Sequence, residues 1–232
     1  MEKMSLKPRM QDYATREELK ALRANLQFCG TDKKVILVTS CMAGEGKSTI
    51  TLNLAVALAE LQKKVLLVDC DLRKSMLYRQ VEGEKPKKGL THYLSGQAAL
   101  SEVIYTVDQP VFNMIFAGPV PPNPSELLSS KKFSTLIEKA RDAYDYILID
   151  CAPLGMVIDA AVVASKSDAG ILVIESGHIA YRLARNVKEQ LEKSGCPVIG
   201  AVLNRVEKGS GGRYYGKRYQ KAYDQYYGET EE

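Results

Sequence analysis

Hydrophobic and polar positions fall into short blocks along this chain. Four runs are apolar throughout: Val35-Ile36-Leu37-Val38, Val65-Leu66-Leu67-Val68, Tyr146-Ile147-Leu148-Ile149 and Ile171-Leu172-Val173-Ile174. Each is short and has no polar face, the form of a strand covered on both sides in a parallel sheet. Phe112 to Phe116 and Val198 to Leu203 read as two further strands. Helical spacing fills the intervals. Leu19, Leu22 and Leu26 form one stripe over Arg16 to Phe28, and residues 48–62, 125–144 and 179–194 continue in the same period. Asn53, Ala55, Ala57 and Ala59 suit close packing on a sheet. Strands alternating with helices predict an α/β fold with a doubly wound, mostly parallel sheet and helices on both faces.

The polar segments divide the chain. Residues 1–15 are polar and read as a mobile arm, 16–207 as one domain and 208–232 as a tail. Glu82 to Gly89 reads as an exposed loop. Pro119, Pro121, Pro122 and Pro124 forbid regular structure between Gly118 and Pro124 and predict a stiff connector. Gly209-Ser210-Gly211-Gly212 is a flexible linker into the tail.

Composition narrows the class. A chain of 232 residues with 45% hydrophobic content can bury one good core. Uninterrupted apolar runs stay well short of the ~18 residues that a membrane span needs. The polar N-terminus lacks a signal-peptide core, so the chain is expected to stay in the cytoplasm. A net charge of +4 is too mild to argue for nucleic acid. Cys29, Cys41, Cys70, Cys151 and Cys196 show neither paired nor zinc-like spacing and are expected to be reduced thiols. His92 and His178 have no metal-like companions in sequence and are expected to be structural.

Candidate chemistry begins at Ala43-Gly44-Glu45-Gly46-Lys47-Ser48-Thr49, between the first apolar strand and a helix. A strand, a glycine turn ending in Gly-Lys-Ser and a helix make a phosphate cradle, because free backbone N–H groups and the helix N-terminus both favour an anion. Lys47 would reach β/γ-phosphate oxygens and Ser48 would ligate Mg²⁺. Cys41 stands where the first glycine of such motifs usually lies. Two of the apolar strands end in acids, Asp69 and Asp150, and Asp71 follows Asp69 by two residues. Carboxylates at the C-terminal ends of parallel strands face the ligand edge of an open α/β sheet. Asp150 is placed to hold a Mg²⁺-bound water.

Two features stand apart from the core pattern. Glu17, Lys20 and Arg23 recur every three residues on a charged stripe, either a solvated helix face or a contact with another subunit. The tail carries Tyr214, Tyr215, Tyr219, Tyr223, Tyr226 and Tyr227, alternates them with Arg213, Lys217, Arg218 and Lys221, and ends in acids. No apolar period accompanies these tyrosines, so a core role is excluded. A sticky aromatic tail that binds a partner or single strands is one reading. Self-phosphorylation explains the combination better.

Taken together these motifs resemble the bacterial protein-tyrosine kinases (BY-kinases) of capsular and exopolysaccharide assembly, in their split Gram-positive form. The resemblance spans residues 16–232 and rests on 43–49 (Walker A), 65–73 (Walker A′), 146–150 (Walker B), Gly118 to Leu128 and the tyrosine cluster. It implies ATP and Mg²⁺ as cofactors, and a P-loop NTPase-type fold. It implies autophosphorylation of tail tyrosines in trans within a ring-like homo-oligomer, and control of polysaccharide polymerisation and export. A membrane-spanning polysaccharide co-polymerase would activate the chain and recruit it to the inner face of the plasma membrane, and a cognate tyrosine phosphatase would act on it.

In that reading Lys47, Asp69 and Asp71 are catalytic, with either aspartate as the base. Ser48, Asp69 and Asp150 hold the metal, and Asn204 lies at the adenine-reading position. Glu17-x-x-Lys20-x-x-Arg23 corresponds to the family's oligomerisation motif with lysine in place of arginine, which loses the bidentate fork and predicts a weaker ring. A rival reading, a nucleotide-switched P-loop ATPase acting as an assembly protein, is weakened by Met42, which stands where partition ATPases carry a lysine that reaches across a dimer.

Overall fold

The computed structural model describes residues 2–7 and 13–206. Chain order is β1 (Glu2–Met4), α1 (Tyr13–Phe28), β2 (Val35–Ser40), α2 (Lys47–Glu60), β3 (Val65–Asp69), α3 (Leu90–Leu94), β4 (Ile104–Asp108), β5 (Val111–Ile115), α4 (Pro124–Ser129), α5 (Lys131–Ala143), β6 (Tyr146–Asp150), α6 (Asp159–Ala164), β7 (Ala169–Glu175), α7 (Tyr181–Lys193) and β8 (Val198–Asn204). The strands form one sheet in the order β1-β4-β5-β3-β6-β2-β7-β8. Pairing is parallel except between β4 and β5.

Alternation within the apolar strands sorts their side chains to two cores. Val35 and Leu37 of β2 enter one cluster with Leu128, Phe133, Ile137, Val163 and Leu191 from α4, α5, α6 and α7. Ile36 and Val38 enter the other, with Leu26 of α1 and Leu52, Leu54 and Leu58 of α2. Both faces of the central strands are therefore covered, which is why those strands read as unbroken apolar runs. At the edge where β2 and β7 begin, Asp168 accepts from the Lys34 and Val35 backbone N–H groups and from both Nη atoms of Arg141. That cluster ties α5 to two central strands.

Three expectations change. Residues 2–4, assigned to a mobile arm, form strand β1 against β4, with Met4 buried, and Leu6 bridges to Val81. A polar stretch can pair as a short edge strand when one apolar side chain reaches the core, and Met4 does so. The proline segment does not stay irregular to its end. Pro124 opens α4, where its missing N–H costs nothing and its fixed φ suits the first turn. The helical pattern after it breaks at Ser130, which leaves α4 and caps α5 by accepting from the Phe133 N–H. Strand β4 also extends the sheet, its Tyr105 and Val107 buried and alternating with partly exposed neighbours.

Candidate active site

Five strands deliver the site at one sheet edge. The turn after β2 supplies the glycine loop, β3 and the turn after it supply Asp69 and Asp71, and β6 supplies Asp150. Glu175 and Asn204 lie at the ends of β7 and β8. Asp69 and Asp150 are direct register partners, so two carboxylates stand side by side.

The loop itself needs its glycines. Gly44 and Gly46 both take φ near +90°, a conformation that side-chain-bearing residues avoid. Ala43 and Gly44 form the exposed outer turn, Thr49 is exposed and Ser48 half-buried. Glu45 contributes more than backbone. Its side chain is buried, one oxygen accepting from the Met42 N–H and the other from the Glu175 N–H at 3.0 Å. It braces the loop against β7. Asn204 donates its amide N–H to the Glu45 carbonyl at 2.8 Å, and its side chain lies directly over Gly46. The sequence-expected adenine reader thus sits against the loop.

Lys47 is the centre of the charge cluster. Its ammonium donates to Asp71 Oδ2 at 2.8 Å and to Ser48 Oγ at 3.3 Å, and lies 3.7 Å from Asp150 Oδ1. Burial works against its charge, but Asp150 and Asp71 outweigh burial and hold its pKa above the usual lysine range. Asp69 accepts from the Ser75 hydroxyl at 2.5 Å and from the Asp71 N–H at 3.2 Å. Burial, then the charge of Asp150, pushes its pKa up to about 8. Asp150 is fully buried, and among the described residues neither oxygen accepts a hydrogen bond, Lys47 standing at 3.7 Å; burial raises its pKa too. A wholly buried carboxylate whose cationic neighbour, Lys47, stands at 3.7 Å is rare and leaves its oxygens open to a further cation.

This arrangement fits a nucleotide-bound Mg²⁺. Asp150 and Asp69 supply hard oxygen donors beside the Ser48 hydroxyl, as Mg²⁺ prefers. Among the described residues no three His, Cys, Asp or Glu side chains make a self-contained metal site. A cation here would complete its shell with phosphate oxygens and water, the usual habit of Mg²⁺. A cavity of about 640 Å³ lies at the opposite edge of the sheet, lined by Lys63, Lys64, Pro110 and Tyr144, and shares no residue with this cluster.

Known proteins share this architecture. Residues 33–193 match the family model of the AAA domain. A tyrosine-protein kinase, CpsD of Streptococcus agalactiae, is 41% identical over 211 residues, covering 89% of this chain and 92% of that protein. The chain belongs to the bacterial tyrosine-protein kinases. The kinase domain of the Escherichia coli tyrosine kinase ETK superposes with a TM-score of 0.80 at 34% identity, covering 84% of this kinase and 76% of that chain. The septum site-determining protein MinD complexed with Mg-ADP, from Pyrococcus horikoshii, gives 0.65 at 28% identity, covering 81% and 76%. The kinase shares the mostly parallel P-loop architecture of both, a fold that implies a bound nucleotide.

Other residues singled out by sequence stand away from the cluster. Glu17 and Lys20 pair with each other at 2.7 Å on the exposed face of α1, whereas Arg23 turns inward and donates to the Ala57 carbonyl of α2 at 3.0 Å. The charged stripe is therefore split between solvent and core. The six tail tyrosines, Tyr214 to Tyr227, lie outside the described residues. Among the described residues no helix is long and apolar enough to cross a membrane. All five cysteines are free, and burial raises the pKa of Cys41 to about 11 and pushes Cys70 and Cys151 upward as well. Buried thiols held protonated are unreactive. His92 accepts from the Gly89 N–H, a local structural contact.

Sequence reading passed over three working side chains: the Glu45 carboxylate, Ser75, and Asp159, which is fully buried and grips Arg73. Asp159 does leave a trace, since it is an acid set between Val157-Ile158 and Ala160-Ala161-Val162-Val163. Ser75 leaves none, because its partner is fixed by how the loop after β3 turns back.

Proposed function

We propose that this kinase transfers the γ-phosphoryl group of ATP to tail tyrosines of a neighbouring copy and thereby regulates capsular or exopolysaccharide polymerisation and export. The observation that carries the reading is the placement of Lys47 among three carboxylates, one of them lacking any hydrogen-bond donor, at the mouth of a glycine loop. Ser48, Asp69 and Asp150 would hold Mg²⁺, which when bound with the nucleotide neutralises phosphate charge. Lys47 leaves Asp71 for the β- and γ-phosphate oxygens as nucleotide enters. Asp71, its Oδ2 released while Oδ1 still accepts from the Lys74 N–H, and 4% exposed where Asp69 is 0%, is the carboxylate that meets the incoming phenol. It accepts the phenol proton as the tyrosine oxygen bonds to phosphorus and the bond to the ADP oxygen breaks. Asn204, already lying on the loop, reads the adenine.

Assembly into a ring rests on α1. With Glu17 and Lys20 already paired and Arg23 engaged on α2, the contact offered to a neighbour is modest, in keeping with a weak ring that an activator strengthens. The activator is a membrane-spanning co-polymerase that draws the kinase to the inner membrane face, and a tyrosine phosphatase reverses the modification. Transfer in trans is tested by mixing active kinase with a Lys47→Met acceptor and mapping phosphate on the acceptor's tail. Label on acceptor tyrosines supports the reading; label confined to the donor overturns it.

A further inference from the structure

Arg73 is fixed in an unusual way for a residue at the rim of an active site. It follows Asp71 by two positions and bends over to the start of α6. There its Nε donates to Asp159 Oδ2 at 2.6 Å and its Nη2 to Oδ1 at 3.0 Å. Ser125 of α4 donates to the same Asp159 oxygen at 2.7 Å and lies 3.4 Å from Nη2. Asp159 is fully buried, so this two-point grip sets the plane of the guanidinium from three separate segments. Yet the Arg73 side chain remains 41% exposed, and its Nη1 makes no hydrogen bond among the described residues. The adjoining Lys74 is exposed. One edge of a rigid fork, next to the proposed base, is therefore left open with net positive charge beside it.

We propose that this open edge selects the acceptor, binding the carboxylate of an acidic residue one or two positions after the tyrosine. The inference rests on the tail being the substrate. The tail's sequence divides its tyrosines accordingly. Tyr223 is followed by Asp224, and Tyr227 by Gly228-Glu229, whereas Tyr214, Tyr215 and Tyr219 are flanked by Arg213, Lys217, Arg218 and Lys221. Arg73 favours the first pair through its open edge, and the exposed Lys74 beside it disfavours the basic flanks of the second group. Once Tyr227 carries phosphate, Tyr226 acquires an anion at the next position and becomes the following acceptor. Phosphorylation then passes from Tyr227 to Tyr226, while Tyr223 is used independently through Asp224.

Asp159 and Ser125 act as positioning residues and touch no substrate. A charge-assisted hydrogen bond of this kind is worth about tenfold in acceptor use. The test uses full-length donors whose six tail tyrosines are phenylalanine, so that label falls on the acceptor. The acceptors are Lys47→Met chains with the native tail or with Asp224→Asn. The native-site donor should label Tyr223 about tenfold faster in the first acceptor than in the second. An Arg73→Gln donor should show a ratio near one.

Because Arg73→Gln leaves Asp159 buried without its partner, an Arg73→Gln/Asp159→Asn donor with a neutral interior runs beside it and should give the same ratio. Nucleotide binding by each donor confirms that the site is folded. A ratio near one with the native site, or a tenfold ratio that survives in both variants, overturns the proposal. Absence of label on every tail tyrosine, with the activator's cytoplasmic segment present, removes the tail-substrate reading and this selection with it, whereas label without discrimination removes the selection alone.

Discussion

Replacing Asp69 with asparagine should stabilise the nucleotide-free kinase while abolishing its activity. Three buried carboxylates face one ammonium here, so the site holds more negative charge than it can pair. Burial and Asp150 raise the Asp69 pKa from 3.8 to about 8. In the unfolded chain the group releases its proton near pH 4, whereas the folded protein retains it until about pH 8. A raised carboxylate contributes its full stability below the unfolded value, and that stability is lost as pH rises toward the folded value. At ~1.36 kcal/mol per unit, the roughly three units between the unfolded value and neutrality set a ceiling of ~4 kcal/mol. The amide introduced by Asp69→Asn keeps the shape and can exchange hydrogen bonds with Ser75, whose hydroxyl is free to reverse. The Asp71 N–H then keeps only a neutral acceptor, which offsets part of the gain, at about 1 kcal/mol. A net gain of up to about 3 kcal/mol remains, or about 6–12 °C in Tm for a chain of this size. Thermal melts without nucleotide or divalent cation, from about pH 5 to about pH 9, should show the variant's advantage growing with pH and levelling above about pH 8. A variant that melts with or below the native protein at the alkaline end, or an advantage that shrinks as pH rises, would refute the reasoning.

Other substitutions separate the site from its scaffold. Glu45→Ala strands the Met42 and Glu175 N–H groups and should cost about 2–3 kcal/mol. It should also weaken nucleotide binding on the order of tenfold through a loosened loop, read by fluorescent-nucleotide titration. Gly89→Ala places a methyl 2.5 Å from both Gly118 N and Phe116 O, so backbone must shift; a loss of about 1–3 kcal/mol is expected in urea unfolding. Asp168→Ala removes the tie between Arg141 and the starts of β2 and β7 and should lower stability by about 2–3 kcal/mol. Its turnover at low temperature should be unchanged, because that cluster lies at the edge opposite the site.

Periodicity reveals those parts of the fold whose environment is uniform. The central strands, buried on both faces, are unbroken apolar runs, and α5 and α7 show the stripes with which they cover them. Peripheral pieces are harder to read, because few buried apolar side chains mark them: Met4 for β1, Tyr105 and Val107 for β4. The glycine loop and the acids at strand ends are legible since their chemistry demands those residue types at those places. The braces are not. Glu45 and Ser75 act through partners that only the folded chain brings near, and Arg23 is diverted from a surface stripe by a carbonyl of the neighbouring helix. A long cationic side chain next to an exposed stripe can turn either way, and spacing cannot decide it.

Intact-mass spectrometry of the purified chain tests the central claim most directly, incubated with Mg·ATP alone and with the activator's cytoplasmic segment, and with Lys47→Met as control. Phosphates that map to Tyr214–Tyr227 in the native chain and vanish in the variant are the predicted result. ATP consumed with no phosphate on any tail tyrosine, with or without the activator, would contradict it and leave a nucleotide-driven assembly switch in its place.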